Sequence, residues 1–180
     1  MRHPGWTLAP LVALAVPAPA YAALYLTSEQ ALHNAFPTAD SFAPSRIALS
    51  PAQWQSINSD TVAPVAEREP RAWVASSAGK PLGQLYVDEV LGKQLNIKYA
   101  VAVGLDGRVQ RVDILEYRET HGYEVRNARW LAQFTGKDSS IELQLGRDVR
   151  NISGATLSCR HVTAGVRRLL AIHAAQQHGP

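Results

Sequence analysis

The sequence predicts an α+β fold in which a mainly antiparallel sheet packs with helices. Three features support this prediction: four successive strand-like runs, an Asp-Gly pair between the last two runs, and one long helical pattern near the C-terminus. Strands joined by short turns pair in antiparallel fashion, and helices outside them then cover the sheet. The length of 180 residues allows one ordinary domain, and 46% hydrophobic with 18% charged residues excludes a disordered chain.

Residues 1–22 have the pattern of a secretory signal peptide. Arg2 precedes an apolar run that starts at about Thr7, and the tripeptide AYA at 20–22 fits the A-x-A cleavage pattern. The uninterrupted apolar run is shorter than the ~20 residues needed to span a membrane. We therefore predict an exported, periplasmic protein that is cleaved after Ala22.

Residues 23–70 are predicted to form an N-terminal helical segment and linker. The stretch from Thr27 to Gln30 fits a capping box that opens a short helix. Ser50 and Pro51 indicate the start of a second helix, because serine suits the N-cap and proline the first helical position. Residues 58–70 contain two prolines and three acidic residues, which indicates a loop.

Residues 71–180 form the predicted main domain. Its strand-like runs cover residues 71–76, 82–90, 96–104 and 108–117. The pair Asp106-Gly107 predicts a hairpin turn between the last two runs. Residues 123–134 favour a helix and residues 141–146 a short strand. The clearest helix of the chain runs from about Thr156 to Gln176.

Charge and cysteine content narrow the functional classes. The net charge is only +3, and basic residues are interspersed with acidic ones instead of forming a cluster. No nucleic-acid partner is therefore predicted. Cys159 is the only cysteine, which excludes an internal disulfide and a CxxCH haem site. It shares an apolar helical face with Val162 and Val166, and we expect it to be buried. We predict neither a metal site nor a catalytic residue.

A run of small residues, Ser153-Gly154-Ala155-Thr156, precedes the long helix. A helix start offers unpaired backbone N–H groups and the positive end of the helix dipole. Because Gly154 and Ala155 carry little side chain, a phosphate could approach the backbone closely. From composition alone, however, an ordinary helix cap made by Ser153 is the favoured interpretation.

Three stretches, in the same order, resemble the FMN-binding domain family. They are RETHGYEV (118–125), ARWLAQFTGK (128–137) and SGAT (153–156), and the resemblance covers about residues 80–172. The family includes subunits of sodium-pumping and electron-transporting membrane oxidoreductases and exported flavoproteins. Its motif threonine carries FMN through a phosphoester bond that a flavin transferase makes from FAD. The resemblance thus implies covalent FMN on Thr156.

The resemblance also implies an environment for the flavin ring. The candidate residues are Glu119, Thr120, His121, Gly122 and Tyr123. Lys137 could bond a flavin carbonyl or stabilise the reduced ring, or it could be a solvated turn residue. We expect Trp130 and Phe134, one helical turn apart, to fill the core rather than to stack on flavin.

Two departures from the family pattern keep a second interpretation open. Arg150 stands where the family usually has an aspartate, and Asp148 lies two residues further back. His121, Tyr123 and Glu124 replace the usual proline, leucine and second glycine of the loop. The alternative is therefore a sensory or adaptor module of the same fold without flavin.

The leading prediction is an exported electron-transfer flavoprotein that relays electrons between a membrane-associated donor and another redox protein. Its expected partners are the flavin transferase and a redox protein such as a membrane oxidoreductase or a cytochrome. A stand-alone flavin-dependent reductase is a weaker interpretation, because the sequence has no nicotinamide fingerprint and no obvious substrate domain.

Overall fold

A computed structural model describes residues 23–59 and 69–177. A six-stranded antiparallel sheet, with strand order β1-β6-β5-β4-β3-β2, forms its centre. The strands are β1 (Ala23–Leu24), β2 (Ser41–Ser45), β3 (Arg71–Ser77), β4 (Lys80–Leu91), β5 (Asn96–Gly104) and β6 (Val109–Tyr117). The helices are α1 (Ser28–Ala35), α2 (Pro51–Ser59), α3 (Ala128–Leu131) and α4 (Thr156–Gln177). Within these described stretches, no helix is long and apolar enough to cross a membrane.

The four predicted strands are confirmed as β3 to β6, and with them the α+β class. The predicted hairpin turn joins β5 to β6. Gly104 N donates to the carbonyl of Arg108 at 2.9 Å, and Gly107 has φ +75°. Asp106 Oδ1 accepts from the Arg108 amide at 3.1 Å, which fixes the turn from its side chain.

The sheet is covered on both faces, because alternate residues of a strand point to opposite sides. In β5, Tyr99, Val101 and Val103 pack in the cluster that contains the apolar side of α4. The intervening Ala100 and Ala102 pack in a second cluster with residues of α1. The long C-terminal helix therefore lies on the face with the larger side chains, as expected for a helix packed on a sheet.

The N-terminal helices begin as predicted. Gln30 N donates to Thr27 Oγ1 at 3.1 Å and the Gln30 side chain accepts from Thr27 N at 2.8 Å, so the capping box is confirmed. Ser50 and Gln53 form the same reciprocal pair, at 3.3 and 2.8 Å. The segment also contributes β1 and β2, which the sequence did not predict. Because β2 pairs with β3, residues 41–45 belong to the same sheet as the predicted main domain.

Two predicted elements after β6 differ from the structure. The prediction of a strand at 141–146 is wrong, because this part of the chain bonds to itself instead of to a neighbouring strand. Gly146 N donates to Val149 O at 2.7 Å, and Asp148 Oδ2 accepts from Gln144 N at 3.0 Å. The helix expected over 123–134 is divided into 3-10 segments on either side of α3.

Some predictions fall on residues outside the described ranges. The signal peptide at 1–22 and residues 60–68 of the predicted loop belong to this group. The division of the chain at residues 22 and 70 also stays a prediction.

A buried ion pair connects α4 to the sheet. Arg168 Nη1 lies 2.5 Å from Asp88 Oδ2, and both side chains are 2% exposed. Tyr99 donates its hydroxyl proton to the same carboxylate oxygen at 3.2 Å, while Arg168 Nε donates to Asn58 Oδ1 of α2 at 3.0 Å. Burial raises the pKa of Asp88, and the charge of Arg168 opposes this rise. The pair therefore joins α4, β4, β5 and α2 at one buried point.

Candidate functional site

Helix α4 begins at Thr156 directly after a tight turn. Cys159 N donates to Ala155 O at 2.9 Å, which makes Ala155 the N-cap residue. Because alanine has no side-chain acceptor, Ala155 cannot bond the first amides of the helix. Ser153 lies two residues before the N-cap, so the interpretation of Ser153 as the cap is wrong. Gly154 has φ +84°, and its position allows Ala155 N to close the turn onto Ile152 O at 3.0 Å.

The Thr156 side chain is exposed at this helix start. Its Oγ1 accepts a hydrogen bond from Asn151 Nδ2 at 2.8 Å. A hydroxyl oxygen that accepts one bond still carries its own proton, which is directed elsewhere. The hydrogen bond from Asn151 thus orients the Thr156 hydroxyl and leaves the hydroxyl proton available.

A cleft of about 520 Å³ lies beside the turn. Its lining residues are Lys93, Gln94, Glu119, Thr120, His121, Gly122, Gly154, Ala155, Leu157 and Ser158. The structure therefore brings most of the predicted ring environment together with two residues of the SGAT run. Thr156 lies between the lining residues Ala155 and Leu157 in the chain, and Ser153 adjoins Gly154.

A hydrogen-bonded pair beneath Gly122 connects the two predicted loops. Tyr117 donates its hydroxyl proton to His121 O at 2.6 Å and lies 3.0 Å from Ser158 Oγ. Since a phenol has one proton, Ser158 must be the donor to Tyr117. Gly122 has φ +86°, and a Cβ there would lie 2.7 Å from the Tyr117 hydroxyl. Burial raises the pKa of Tyr117, which keeps this phenol protonated.

Glu119 faces the turn between β4 and β5. Its Oε1 accepts from Gln94 N at 2.5 Å and from Leu95 N at 3.0 Å. Partial desolvation would raise the pKa of Glu119, but hydrogen bonds from the Leu95, Gln94 and Lys93 amides outweigh it and lower the pKa. The carboxylate is therefore ionised at neutral pH and occupied by backbone donors.

Of the other predicted residues, Thr120 and His121 line the cleft, whereas Tyr123 and Lys137 do not. Tyr123 is 53% exposed, next to Gly122 in the chain, and the Arg126 guanidinium lies 5.9 Å from its ring centroid. Thr120 Oγ1 lies 2.9 Å from Nδ1 of the exposed His121. Lys137 is not a lining residue of the cleft. Its carbonyl accepts from the amide at the start of β6 at 2.8 Å, so a flavin contact by Lys137 stays a prediction.

Trp130 and Phe134 are confirmed as core residues. Their rings are buried and meet edge to face, with centroids 5.3 Å apart. Trp130 Nε1 also donates to Arg150 O at 2.7 Å, which anchors the chain before the SGAT turn. Neither Arg147 nor Arg150 lines the cleft. Arg147 pairs with Asp148 at 3.0 Å, so its guanidinium is engaged within its own loop.

Cys159 is fully buried, as predicted, and burial raises the pKa of its thiol. A buried, protonated thiol is a poor nucleophile, so Cys159 is a packing residue. Among the residues that the structure describes, no group of three His, Cys, Asp or Glu side chains could hold a metal ion.

A larger cavity, of about 670 Å³, lies between α2, residues 139–142 and α4. Its buried cation, Arg168, is already paired with Asp88, and none of its lining residues belongs to the three motif stretches. We therefore take the smaller cleft as the candidate functional site.

Sequence reasoning missed several residues of this cleft. Lys93 and Gln94 lie between two predicted strands and were not selected, and neither was Asn151, which bonds to Thr156 beside the cleft. Ser158 was not selected for the cleft either. Its place two residues after Thr156 on a predicted helix could have indicated it.

Residues 92–171 match the sequence model of a family described as FMN-binding domain. This segment of the chain matches the FMN-binding domain family. The matched span begins at the turn between β4 and β5 and ends within α4, so it contains every lining residue of the cleft. This match confirms the predicted family and supports FMN as the cofactor of a flavoprotein. A comparison with curated proteins finds no match for this chain.

Proposed function

We propose that this protein is an exported electron-transfer flavoprotein that carries FMN covalently on Thr156. The observation that carries the proposal is the position of Thr156 within the FMN-binding domain. It is the first residue of α4, its hydroxyl is exposed, and it adjoins the cleft built by the two motif loops.

Attachment requires an acceptor hydroxyl rather than a catalytic group. A flavin transferase would use FAD: a bond forms between Thr156 Oγ1 and the FMN phosphorus, the pyrophosphate bond breaks, and AMP leaves. The hydroxyl proton passes to a base of the transferase, because the SGAT run contains none. Small side chains at Ser153, Gly154 and Ala155 leave the approach to Thr156 open.

The residues present fit the phosphate of FMN. An ester on Thr156 retains negative charge at a helix N-terminus whose N-cap, Ala155, offers no competing acceptor. The helix dipole favours such a charge by about 0.3–1 kcal/mol. Because Asn151 bonds Thr156 Oγ1 directly, it would hold the ester oxygen in a defined rotamer.

The cleft fits the flavin ring. Its lining residues include the polar Glu119, Thr120 and His121 as well as the apolar Leu157, so it offers both polar groups and an apolar surface. Bound FMN would supply one- and two-electron transfer, which no side chain of the cleft can provide. The chain holds the ring and limits its contact with water. A covalent bond would prevent loss of the cofactor after export.

Export and electron relay complete the proposal. The signal pattern at 1–22 supports a periplasmic location, where a membrane-associated donor and a second redox protein would exchange electrons with the flavin. A second candidate function, a flavin-free sensory or adaptor module, is favoured by one observation. Arg150 occupies the place of the family's usual aspartate three residues before Ser153.

Co-expression with an active flavin transferase tests the two functions against each other. We expect the wild-type protein to be yellow and to retain flavin fluorescence after denaturation, which strips FMN that is not covalently bound. Protein made without the transferase is the control and should lose its fluorescence on denaturation. A colourless product despite an active transferase would contradict covalent attachment and support the adaptor function.

A further inference from the structure

One wall of the cleft is the turn between β4 and β5, residues 92–95. The side chains of Lys93 and Gln94 are exposed, so the turn has little packing of its own to hold it. One carboxylate oxygen, Oε1 of Glu119, accepts hydrogen bonds from two amides of this turn, Gln94 N at 2.5 Å and Leu95 N at 3.0 Å. Charge-assisted bonds of this kind are roughly twice as strong as neutral ones.

The turn is shaped closely around this carboxylate. Gly92 N donates to Leu95 O at 2.7 Å, which closes the turn. A Cβ at Gly92 would lie 2.7 Å from Glu119 Oε1 and 2.9 Å from Leu95 O, so only glycine fits here without displacement. The strand before the turn is held separately, since Nδ1 of the buried His161 lies 2.5 Å from Leu91 O.

We propose that Glu119 is a positioning residue that acts on the flavin through this turn. By tying residues 94 and 95 to the loop after β6, it sets the distance between two cleft walls and keeps the cleft closed around the ring. The inference rests on the proposed function. It adds that Glu119 controls how well the flavin ring is shielded from solvent. Sequence resemblance had indicated Glu119 only as part of the ring environment.

Amide exchange measured by NMR in the flavin-free protein tests the local link. In Glu119→Ala, exchange of the Gln94 and Leu95 amides should accelerate at least about tenfold, because their charged acceptor is lost. Glu119→Gln keeps an acceptor oxygen at the same reach and should restore much of the protection. The matched control is Asp138→Ala, whose carboxylate accepts from Ser140 N at 3.0 Å in a turn outside the cleft. It should leave residues 94 and 95 unchanged.

Iodide quenching of the covalently bound flavin tests the effect on the site. Quenching should increase severalfold in Glu119→Ala, return towards the wild-type value in Glu119→Gln, and stay at that value in Asp138→Ala. Unchanged exchange in Glu119→Ala would overturn the inference, and so would faster exchange with unchanged quenching. A wild-type protein that acquires no flavin would instead overturn the proposed function, and the inference with it, so the two failures are distinguishable.

Discussion

At the scale of single residues, Gly122 determines how closely the loop after β6 can approach α4. Tyr117 and Ser158 lie directly beneath it and bond to each other at 3.0 Å. A side chain at Gly122 would therefore separate the loop from the helix start that carries Thr156. The positive φ of +86° adds backbone strain for any other residue.

Gly122→Ala should destabilise the protein more than a glycine substitution without a neighbour. We expect a loss of about 2–4 kcal/mol, from left-handed backbone strain together with overpacking against Tyr117. Gly136→Ala is the control, because Gly136 has φ +78° and nothing within 4 Å of its Cβ position. It should lose only about 1–2 kcal/mol. Urea denaturation of both flavin-free variants measures the difference, and equal losses would show that the contact with Tyr117 is unimportant.

The sequence could predict those site residues that belong to a local motif. Thr156 was indicated by the resemblance of residues 153–156 to the SGAT motif of the FMN-binding domain family, since composition alone favoured an ordinary helix cap made by Ser153. Lys93 and Asn151 could not be predicted, since Lys93 reaches the cleft through the fold of the sheet and Asn151 reaches Thr156 through the conformation of an irregular turn. For Asn151 the decisive fact is a 2.8 Å bond across five residues of irregular chain, and no residue pattern encodes it.

At the scale of elements, the attachment of α4 to the sheet depends on a buried charge as well as on apolar packing. Asp88 and Arg168 are 80 residues apart in sequence and both side chains are 2% exposed. The pair anchors the helix that begins with Thr156, since Arg168 lies about three turns further along α4. Its integrity therefore affects the element that begins at the functional site.

Asp88→Ala should destabilise the fold by about 3–5 kcal/mol, because it leaves the Arg168 charge buried without its partner. Arg118→Ala is the matched control. It breaks the Arg118–Glu116 pair, in which the arginine side chain is 53% exposed, and should cost about 1 kcal/mol or less. Chemical denaturation followed by circular dichroism provides both values. A loss below about 1 kcal/mol for Asp88→Ala would show that the pair contributes little to holding α4.

Elements with strong periodicity could be predicted, and those fixed by their neighbours could not. The range 96–104 was predicted correctly because residues 99–104 of β5 form a continuous buried run in the middle of the sheet. β2 was missed because Pro44 is unusual in a strand; it is compatible here since β2 is at the sheet edge. Residues 141–146 alternate like a strand, but the side chain of Asp148 turns the chain back before it can pair.

At the scale of the whole molecule, the proposal combines a carrier domain with export. The described chain starts with β1, which pairs with β6 at Tyr117 and Glu116. Residues 23 and 24 therefore belong to the sheet, next to the loop that leads into the cleft. The predicted cleavage after Ala22 would leave this edge strand intact.

N-terminal sequencing of exported material should show Ala23 as the first residue, because the AYA pattern places small residues where signal peptidase requires them. Ala22→Trp should block processing and leave the leader attached, since a bulky residue does not fit the cleavage site. A wild-type product that is bound to membranes and retains Met1 would contradict both the cleavage and the periplasmic location.

The central claim is that the Thr156 hydroxyl carries FMN, and intact mass after co-expression with the transferase tests it most directly. The wild type should show the mass of one FMN ester, and Thr156→Ser should show weaker but detectable modification. Thr156→Ala should be folded and unmodified, with stability within about 0.5 kcal/mol of the wild type because the side chain is exposed. An FMN adduct that persists in Thr156→Ala would contradict the claim and direct the search to Ser153 or Ser158.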